Sequence, residues 1–237
     1  MEPVPFSFRK VMTSSDQIDV VGLGQCSLDI LGQVGQYPDL DQKAELSSLL
    51  VQGGGPVATA LVTLARLGIS VAMVGAAGAD DFGRQIRDGL IAESVDCSFL
   101  TQNTGDSSQV AFVAVDAHGH RNIFWHRGNA VPDIADLSEL LLSRSVKVLH
   151  LDGLHLMQAV TAAKMARSMN VLTVLDAGTM RPGVDRLLPL IDHLVVSENF
   201  ARQMTRRHDP QSALRLLAGH GAAGVTITCG AAGSVSI

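Results

Sequence analysis

An open, doubly wound, mostly parallel α/β sheet carrying a small antiparallel β lid is the fold this sequence predicts, and three observations carry the prediction. Strand-like and helix-like periods alternate along the chain. From Lys147 onward each apolar strand run is followed by one helical period. At Ser107–Arg127 a hairpin signal interrupts that alternation. Regular β–α alternation needs right-handed crossovers, which pair strands in parallel and put helices on the faces of the sheet. The 237 residues suffice for one large domain. With 46% hydrophobic and 17% charged residues, the composition is that of a buried core rather than of a disordered chain. Aromatics are only 4%, so that core is built mainly of Leu, Val, Ala and Ile.

Taken in order, residues 1–18 read as a loose leader, with Pro3, Pro5 and no apolar run of signal-peptide length. Residues 19–237 form the domain. The first strand run is Asp19–Leu23, ending in Gly22-Leu-Gly24. A dinucleotide fingerprint would require a third glycine at Ser27 and a helix opening there, and neither is present. Residues 29–52 contain no convincing helix and are assigned to the lid. The helical period Val57–Leu67 follows, then the strand Ser70–Val74 and the helix Phe82–Glu93. The second lid segment, about 107–128, is a hairpin of Gln109–Val115 and His120–Trp125 around a turn at Asp116-Ala-His-Gly119. Gly105 and Gly128 bracket it as hinge or turn positions. The strands Lys147–Leu151, Val171–Leu175, His193–Val196 and Val225–Cys229 then alternate with helices Leu156–Met169, Val184–Leu190, Phe200–Arg206 and Ser212–Ala218.

Several function classes are disfavoured. A net charge of −5 gives no basic footprint for nucleic acid, although backbone N–H groups still bind small anions. Cys26, Cys97 and Cys229 are far apart, without disulfide or zinc spacing; reduced thiols in a cytoplasmic protein are expected. No run approaches the ~18 apolar residues of a membrane span. His118 and His120 flank a turn, and His150 and His155 are five apart, so neither pair has the i, i+4 spacing of a helical zinc site. No Gly-x-Ser-x-Gly elbow is present.

The strongest local feature is Val51-Gln-Gly-Gly-Gly-Pro-Val-Ala-Thr-Ala60, which runs directly into a helix. Glycines at a helix N-terminus let backbone N–H groups approach a ligand, and Pro56 suits the first turn. No Lys-Ser/Thr follows, so this is no Walker A loop; a plain helix-capping turn is the other reading. Asp29 sits beyond the first strand, where a carboxylate accepts hydrogen bonds from sugar hydroxyls, or is simply solvated. Asp152 and Asp176 follow apolar strands; they either converge on one sheet edge or cap the next turn. Arg127 either meets an anionic substituent of a ligand or is a solvated lid residue.

As an ordered set these residues resemble the PfkB (ribokinase-like) carbohydrate kinase family, from about Asp19 to Ile237. Asp29 is similar to that family's sugar-binding Asp and Gly54-Gly55 to its di-glycine. Arg66-Leu-Gly68 with Gly75-Ala-Ala-Gly-Ala-Asp-Asp-Phe-Gly83, Gly128-Asn129, and Thr226–Gly233 resemble further family segments. Gly53–Ala60 and Val196-Ser-Glu-Asn-Phe-Ala201 resemble the sulfofructose kinase subgroup. The resemblance implies a ribokinase-like fold and ATP-dependent phosphorylation of a sugar hydroxymethyl group, with Mg2+. It implies sugar contacts from Asp29, Gly54, Gly55, Thr59, Asp152, Arg127 and Asn129. Nucleotide contacts would come from Ser197, Thr228, Gly230 and Gly233, and Glu198 would serve the metal. Lids of two subunits pairing into a homodimer are implied as well.

Three departures qualify the resemblance. Thr59 stands where the family usually has Asn. Ser197-Glu-Asn-Phe200 replaces an Asn-x-x-Glu motif, and Phe200 cannot ligate metal. Nothing resembles the Gly-Ala-Gly-Asp segment that supplies the family's catalytic base and anion hole. The expectation is therefore an incomplete copy of a sugar kinase, inactive and poorly soluble by itself. The alternatives are a non-catalytic sugar- or nucleotide-binding protein or a pseudogene product, and, third, an unrelated Rossmann-like domain.

Overall fold

Short aliphatic strands, continuously buried at Val20–Leu23 and Val71–Gly78 and alternating at Val148–Leu151 and Gly224–Thr228, build the main layer of the protein. A computed structural model describes residues 17–135, 137–143 and 145–237; residues 1–16 of the expected leader lie outside the described residues. Ile18 is buried in the main core, so the domain takes in at least this residue of the segment 1–18.

The short, fully buried strand β1 (Val20–Leu23) is followed by two lid strands, β2 (Ser27–Val34) and β3 (Leu46–Gly54), and by α1 (Pro56–Arg66). Next come β4 (Val71–Gly78), α2 (Asp81–Ala92) and β5 (Leu100–Asn103), then the lid hairpin β6 (Val110–Val115) and β7 (Arg121–His126). The remainder is α3 (Leu137–Ser143), β8 (Val148–Leu151), α4 (Leu156–Ser168), β9 (Leu172–Ala177), β10 (His193–Ser197), α5 (Glu198–Thr205), α6 (Pro210–Ala218), β11 (Gly224–Thr228) and β12 (Ser234–Ser236).

The large sheet has eight strands in the order β12-β11-β10-β9-β8-β1-β4-β5. All neighbours pair in parallel except β11 and β12. Side chains alternate across a strand, and the two faces differ. Val21, Leu23, Leu149, Leu151, Leu175, Leu194, Val196, Val225 and Ile227 form one core with α3–α6. On the other face α1 and α2 cover Val20, Val71 and Met73 as a second core. From β8 to β11 this second face carries His150, Val174, Asp176, Val195 and Thr226, all half-buried. Among the described residues no helix packs over it.

The lid is a separate sheet in the order β3-β2-β6-β7. Its two outer pairs are antiparallel, and its central pair, β2 with β6, is parallel. The hairpin lies one residue later than its sequence signal, and Asp116 closes its tip by accepting from His118 N and His120 N. Gly105 and Gly128 both have positive φ, 90° and 70°, conformations that favour glycine.

Three elements differ from the sequence reading. Val184–Leu190 is two 3-10 turns, Val184–Arg186 and Leu188–Leu190, because Pro189 has no N–H to continue an α-helical ladder. The strand β5 and the helix α3 carry no strong periodic signal; tertiary packing forms them, with Leu100 in the second core and Leu137, Leu140 and Leu141 in the first. Asp29 and Asp176 lie within strands rather than beyond their ends.

Candidate functional site

In the large sheet β1 is flanked by β4 on one side and β8 on the other. Open α/β sheets bind ligands outside the carboxyl ends of such strands, where the winding direction reverses. At that point a buried carboxylate joins two chain turns. Asp152, 9% exposed, follows β8; it accepts Gln25 N at 2.7 Å and Leu154 N at 2.8 Å. Gly24 presses against it, and a Cβ there would fall 2.6 Å from the carboxylate. Burial raises the Asp152 pKa, against the two N–H bonds and the nearby Arg181 charge. Both of its oxygens hold backbone, so the capping reading of Asp152 and its place on the sheet edge hold together.

The glycine cluster serves close approach within the protein. The half-buried Asp29 on β2 accepts from Ser27 Oγ at 2.9 Å. A Cβ on Gly54 would lie 2.2 Å from its carboxylate, so only glycine lets β3 pass there. Gly55 has φ 97° and caps α1; a Cβ on it would meet Gln25 O at 2.5 Å. The same Gln25 carbonyl accepts Ala58 N at 3.2 Å. The first turn of α1, the end of β1 and the Asp152 clamp are thus hydrogen-bonded through one residue, Gln25. Thr59 is exposed. With Ser27, Gln52 and Gly54 it lines a cavity of about 430 Å³, which α2 and the Arg66–Glu93 ion pair bound on the far side. Burial pushes the Cys26 thiol in its wall up to about 12, so this cysteine is an inert filler.

The base of the lid meets the same edge. Asn129 Oδ1 accepts Ser107 N at 2.6 Å and Ser107 Oγ at 3.0 Å, fastening the two ends of the hairpin. Gly128 passes so near that a Cβ would sit 2.2 Å from Ser107 O. The exposed Arg127 donates to Leu154 O at 3.3 Å. Asp80 is a second clamp that the sequence reading missed. It caps α2 through Gly83 N at 2.7 Å and also accepts Ser108 N and Ser108 Oγ, at 3.0 and 2.6 Å. Burial acts to raise its pKa, but the Ser108 and Gly83 hydrogen bonds prevail and hold it below the usual carboxylate value. Gly78 and Gly83 serve this junction, because a Cβ on Gly83 would overlap Gly78 O and one on Gly78 would overlap Asp106 O, whereas Gly75 faces Met73 and Cys26.

Ser197, Thr228, Gly230 and Gly233 gather farther along the same edge. Ser197 and Thr228 are register partners. Ser197 Oγ caps α5 through Phe200 N at 3.0 Å and donates to Gly178 O at 2.8 Å. Thr228 is exposed, while Gly230 and Gly233, with φ 56° and 84°, turn β11 back into β12. Glu198 is exposed in the first turn of α5, and Phe200 is fully buried core. Three strand spacings separate β8 from β11, so the two groups lie ~14 Å apart. Between them lie His150 and Asp176, diagonal neighbours on one face of β8 and β9. His150 Nε2 is buried without a hydrogen-bond partner. Burial lowers the His150 pKa, with Asp176 opposing, and raises that of Asp176, with His150 opposing. Among the described residues, no three His, Cys, Asp or Glu side chains are grouped to hold a metal ion, and no helix is long and apolar enough to cross a membrane.

The chain is similar in sequence and in fold to known sugar kinases. Ribokinase from Haemophilus influenzae is 28% identical over 192 residues, 76% of this chain and 61% of that protein. Fructokinase-2 from Solanum lycopersicum is 27% identical over 154 residues, 64% of this chain and 46% of its own length. The chain thus spans between 46% and 61% of these two curated relatives. The structure of Arabidopsis thaliana ribokinase complexed with ribose and ATP matches with a TM-score of 0.79 at 20% identity, over 93% of this chain and 75% of that one. That likeness establishes the ribokinase-like fold. Residues 17–237 match the model of the family described as pfkB family carbohydrate kinase. The chain belongs to the pfkB family of carbohydrate kinases.

Proposed function

We propose that the protein binds a sugar at the β1/β8 crevice under the lid and a nucleotide over β10 and β11, for ATP-dependent phosphorylation of a sugar hydroxymethyl group. The observation that carries this reading is the seating of Asp29. Its carboxylate lies against the bare backbone of Gly54 at the mouth of a crevice whose walls, Gln25 and Asp152, are rigidly bonded. A carboxylate so held accepts hydroxyl hydrogen bonds in a fixed direction, which is what orienting a polyol requires. The lid sheet excludes water, the competing nucleophile.

ATP is the phosphoryl donor in this proposal, with its adenosine end against Thr228, Gly230 and Gly233 and its phosphates extending over β10 and β9 toward the sugar. The ~14 Å between the two groups of residues suits a sugar and a triphosphate laid end to end. Mg2+ keeps several waters and takes one or two carboxylates beside nucleotide phosphates. A lone exposed Glu198 beside that path fits such an ion, which would neutralise phosphate charge when bound. The 237 residues contain no Gly-Ala-Gly-Asp, so no residue here is given the role of base; those present bind, orient and exclude water. The second reading is a binding protein without transfer chemistry.

Calorimetric titration of the full chain with ribose, fructose and Mg-ATP, paired with an ADP-release assay, separates the two. Sugar-dependent ADP release supports transfer; sugar and ATP binding with release at background supports the binding protein. Asp29→Asn lowers sugar affinity roughly tenfold or more, the worth of a charge-assisted hydrogen bond, and an unchanged affinity would overturn the site. Pairing of two lids is also proposed, because Leu49, Leu50, Ile123, Phe124 and Trp125 are exposed on the lid sheet. Sedimentation equilibrium of the wild type against Phe124→Asp tests it.

A further inference from the structure

Against the strand that seats Asp29 lies a slot that the proposed sugar and nucleotide sites do not use. It is the cavity of about 430 Å³ enclosed by the root of the lid, α1 and α2. Ala58, Val62 and Arg66 line it at four-residue spacing along α1, facing Ile86, Leu90 and Glu93 of α2. Successive residues of a strand face opposite sides. Gly54 of β3 turns toward the Asp29 carboxylate, whereas a Cβ on Gly53 would meet nothing within 4 Å. Asp29, Gln25 and Asp152 are not in the wall of the slot. The slot and the proposed sugar crevice thus share the β3 wall at Gly54 but hold different side chains.

Packing does not account for two glycines of this wall. Gly89 lies inside α2, and a Cβ on it would meet nothing within 4 Å. Gly53 lies within β3 in the same open space, and neither residue has a positive φ. Glycine inside a helix or strand is destabilising relative to alanine. Among the described residues, every other glycine of a strand or α-helix has a group within 4 Å of its Cβ position. The two exceptions line the same cavity.

The rest of the lining defines what fits. Ala58, Val62, Ile86 and Leu90 offer apolar walls. Arg66 and Glu93 are bonded to each other, at 2.7 and 2.5 Å, so the charges at the far end cancel. An ionised ligand group would find no free counterpart there. β3 is the outer strand of the lid sheet, so one of its edges carries N–H and C=O groups outside the ladder. The exposed Gln52 adds a side-chain amide that both donates and accepts.

We infer that this slot binds a small uncharged ligand with an apolar, ring-sized body and a carboxamide-type donor–acceptor pair. The body lies between α1 and α2, in space that Gly53 and Gly89 keep free. The amide group pairs with the edge of β3 and with Gln52. The volume is within the ~300–1,000 Å³ of small-molecule sites. This inference does not depend on the proposed sugar site.

The test is two-dimensional amide NMR of the full chain, titrated with N-acetyltryptophanamide, N-acetyltryptophan and 3-methylindole. The first probe is uncharged and carries amides, the second adds a carboxylate, and the third lacks the amide. N-acetyltryptophanamide is expected to shift the Gly53, Val62 and Gly89 signals and to bind at least tenfold tighter than the other two. Gly89→Met puts a side chain into the open space. It should melt no lower than the wild type and bind N-acetyltryptophanamide at least tenfold more weakly. Gln52→Ala should weaken N-acetyltryptophanamide severalfold and leave 3-methylindole unchanged. No shift in the wild type at millimolar probe overturns the inference, as do shifts confined to residues outside the slot. Equal affinity for all three probes overturns the ligand class, since it marks unspecific apolar contact. Wild-type affinity in Gly89→Met overturns the placement. A lower melting temperature in that variant shows that packing needs the glycine, which removes the ground for the inference.

Discussion

The proposed sugar end and the proposed nucleotide end of the sheet edge are built on different plans. At the sugar end, side-chain acceptors hold backbone: Asp152 spans Gln25 and Leu154, Asn129 fastens Ser107, and Asp80 ties α2 to Ser108. Gly24, Gly54 and Gly55 pass within overlap distance of the groups they face. At the proposed nucleotide end the half-buried Ser197 still holds Phe200 N and Gly178 O, but Thr228 and the Gly230–Gly233 turn are exposed, and a Cβ on Gly230 or Gly233 would meet nothing within 4 Å. Close packing therefore constrains the first end more tightly than the second. A sugar hydroxyl must be aimed to react, whereas a nucleotide has a large surface over which to spread its contacts.

The hardest blow to this contrast is Asp152→Ala. It leaves Gln25 N and Leu154 N without partners in a buried spot, at roughly 1–3 kcal/mol for each. Chemical denaturation should show a loss of about 2–5 kcal/mol, and sugar binding should disappear with it. Thr228→Val at the other end should stay within about 0.5 kcal/mol of wild type. Comparable losses at the two ends would break the comparison.

Gly54→Ala sharpens it. The added methyl group overlaps the Asp29 carboxylate, so Asp29 must turn or β3 must lift. Sugar affinity should drop roughly tenfold to a hundredfold, and stability should fall by about 1–3 kcal/mol, the usual cost of overpacking. Gly233→Ala is strained by its positive φ but meets open space, and ATP affinity should change by no more than a fewfold. Titration of both variants with both ligands gives the full two-by-two comparison.

How much of this was legible in the sequence follows from the same contrast. Period and composition foretold the parallel sheet, its strands β8 to β11 and the lid hairpin within one residue, but not one helix after each strand: two 3-10 turns join β9 to β10, two helices join β10 to β11, and β12 has no sequence signal. Gly54 and Gly55 stood out because glycine runs before a helix are rare and costly unless backbone must pass closely. Asp80 and Arg181 did not stand out, since both act on residues distant in the chain: Asp80 meets Ser108 and the Arg181 charge acts on Asp152. Sequence spacing carries no signal for such pairs. Pro189 was the visible warning that Val184–Leu190 would not make an α-helix. The parallel β2–β6 pair depends on a crossover through the whole α1–β5 segment, which no local pattern encodes.

The smallest effect expected is at Asp80, where one carboxylate both caps α2 and holds the lid hairpin. Its pKa is lowered in the folded protein. The folded state therefore binds fewer protons than the unfolded chain as pH falls toward the ordinary value near 3.8. The stability it contributes is full above that value and is lost as pH drops through the lowered folded one. Asp80→Asn should cost about 1 kcal/mol at pH 7, as for other N-caps that keep a side-chain acceptor imperfectly placed. The cost should shrink as pH falls below the ordinary value near 3.8 and approach zero below the lowered folded value, where the wild-type carboxylate itself is protonated. Hydrogen exchange at Ser107 and Ser108 should quicken in the variant at neutral pH, while that of the β10 and β11 amides holds steady. Uniform quickening across both ends would mean that Asp80 steadies the whole domain, and the lid could then no longer be treated as a unit fastened at its own base.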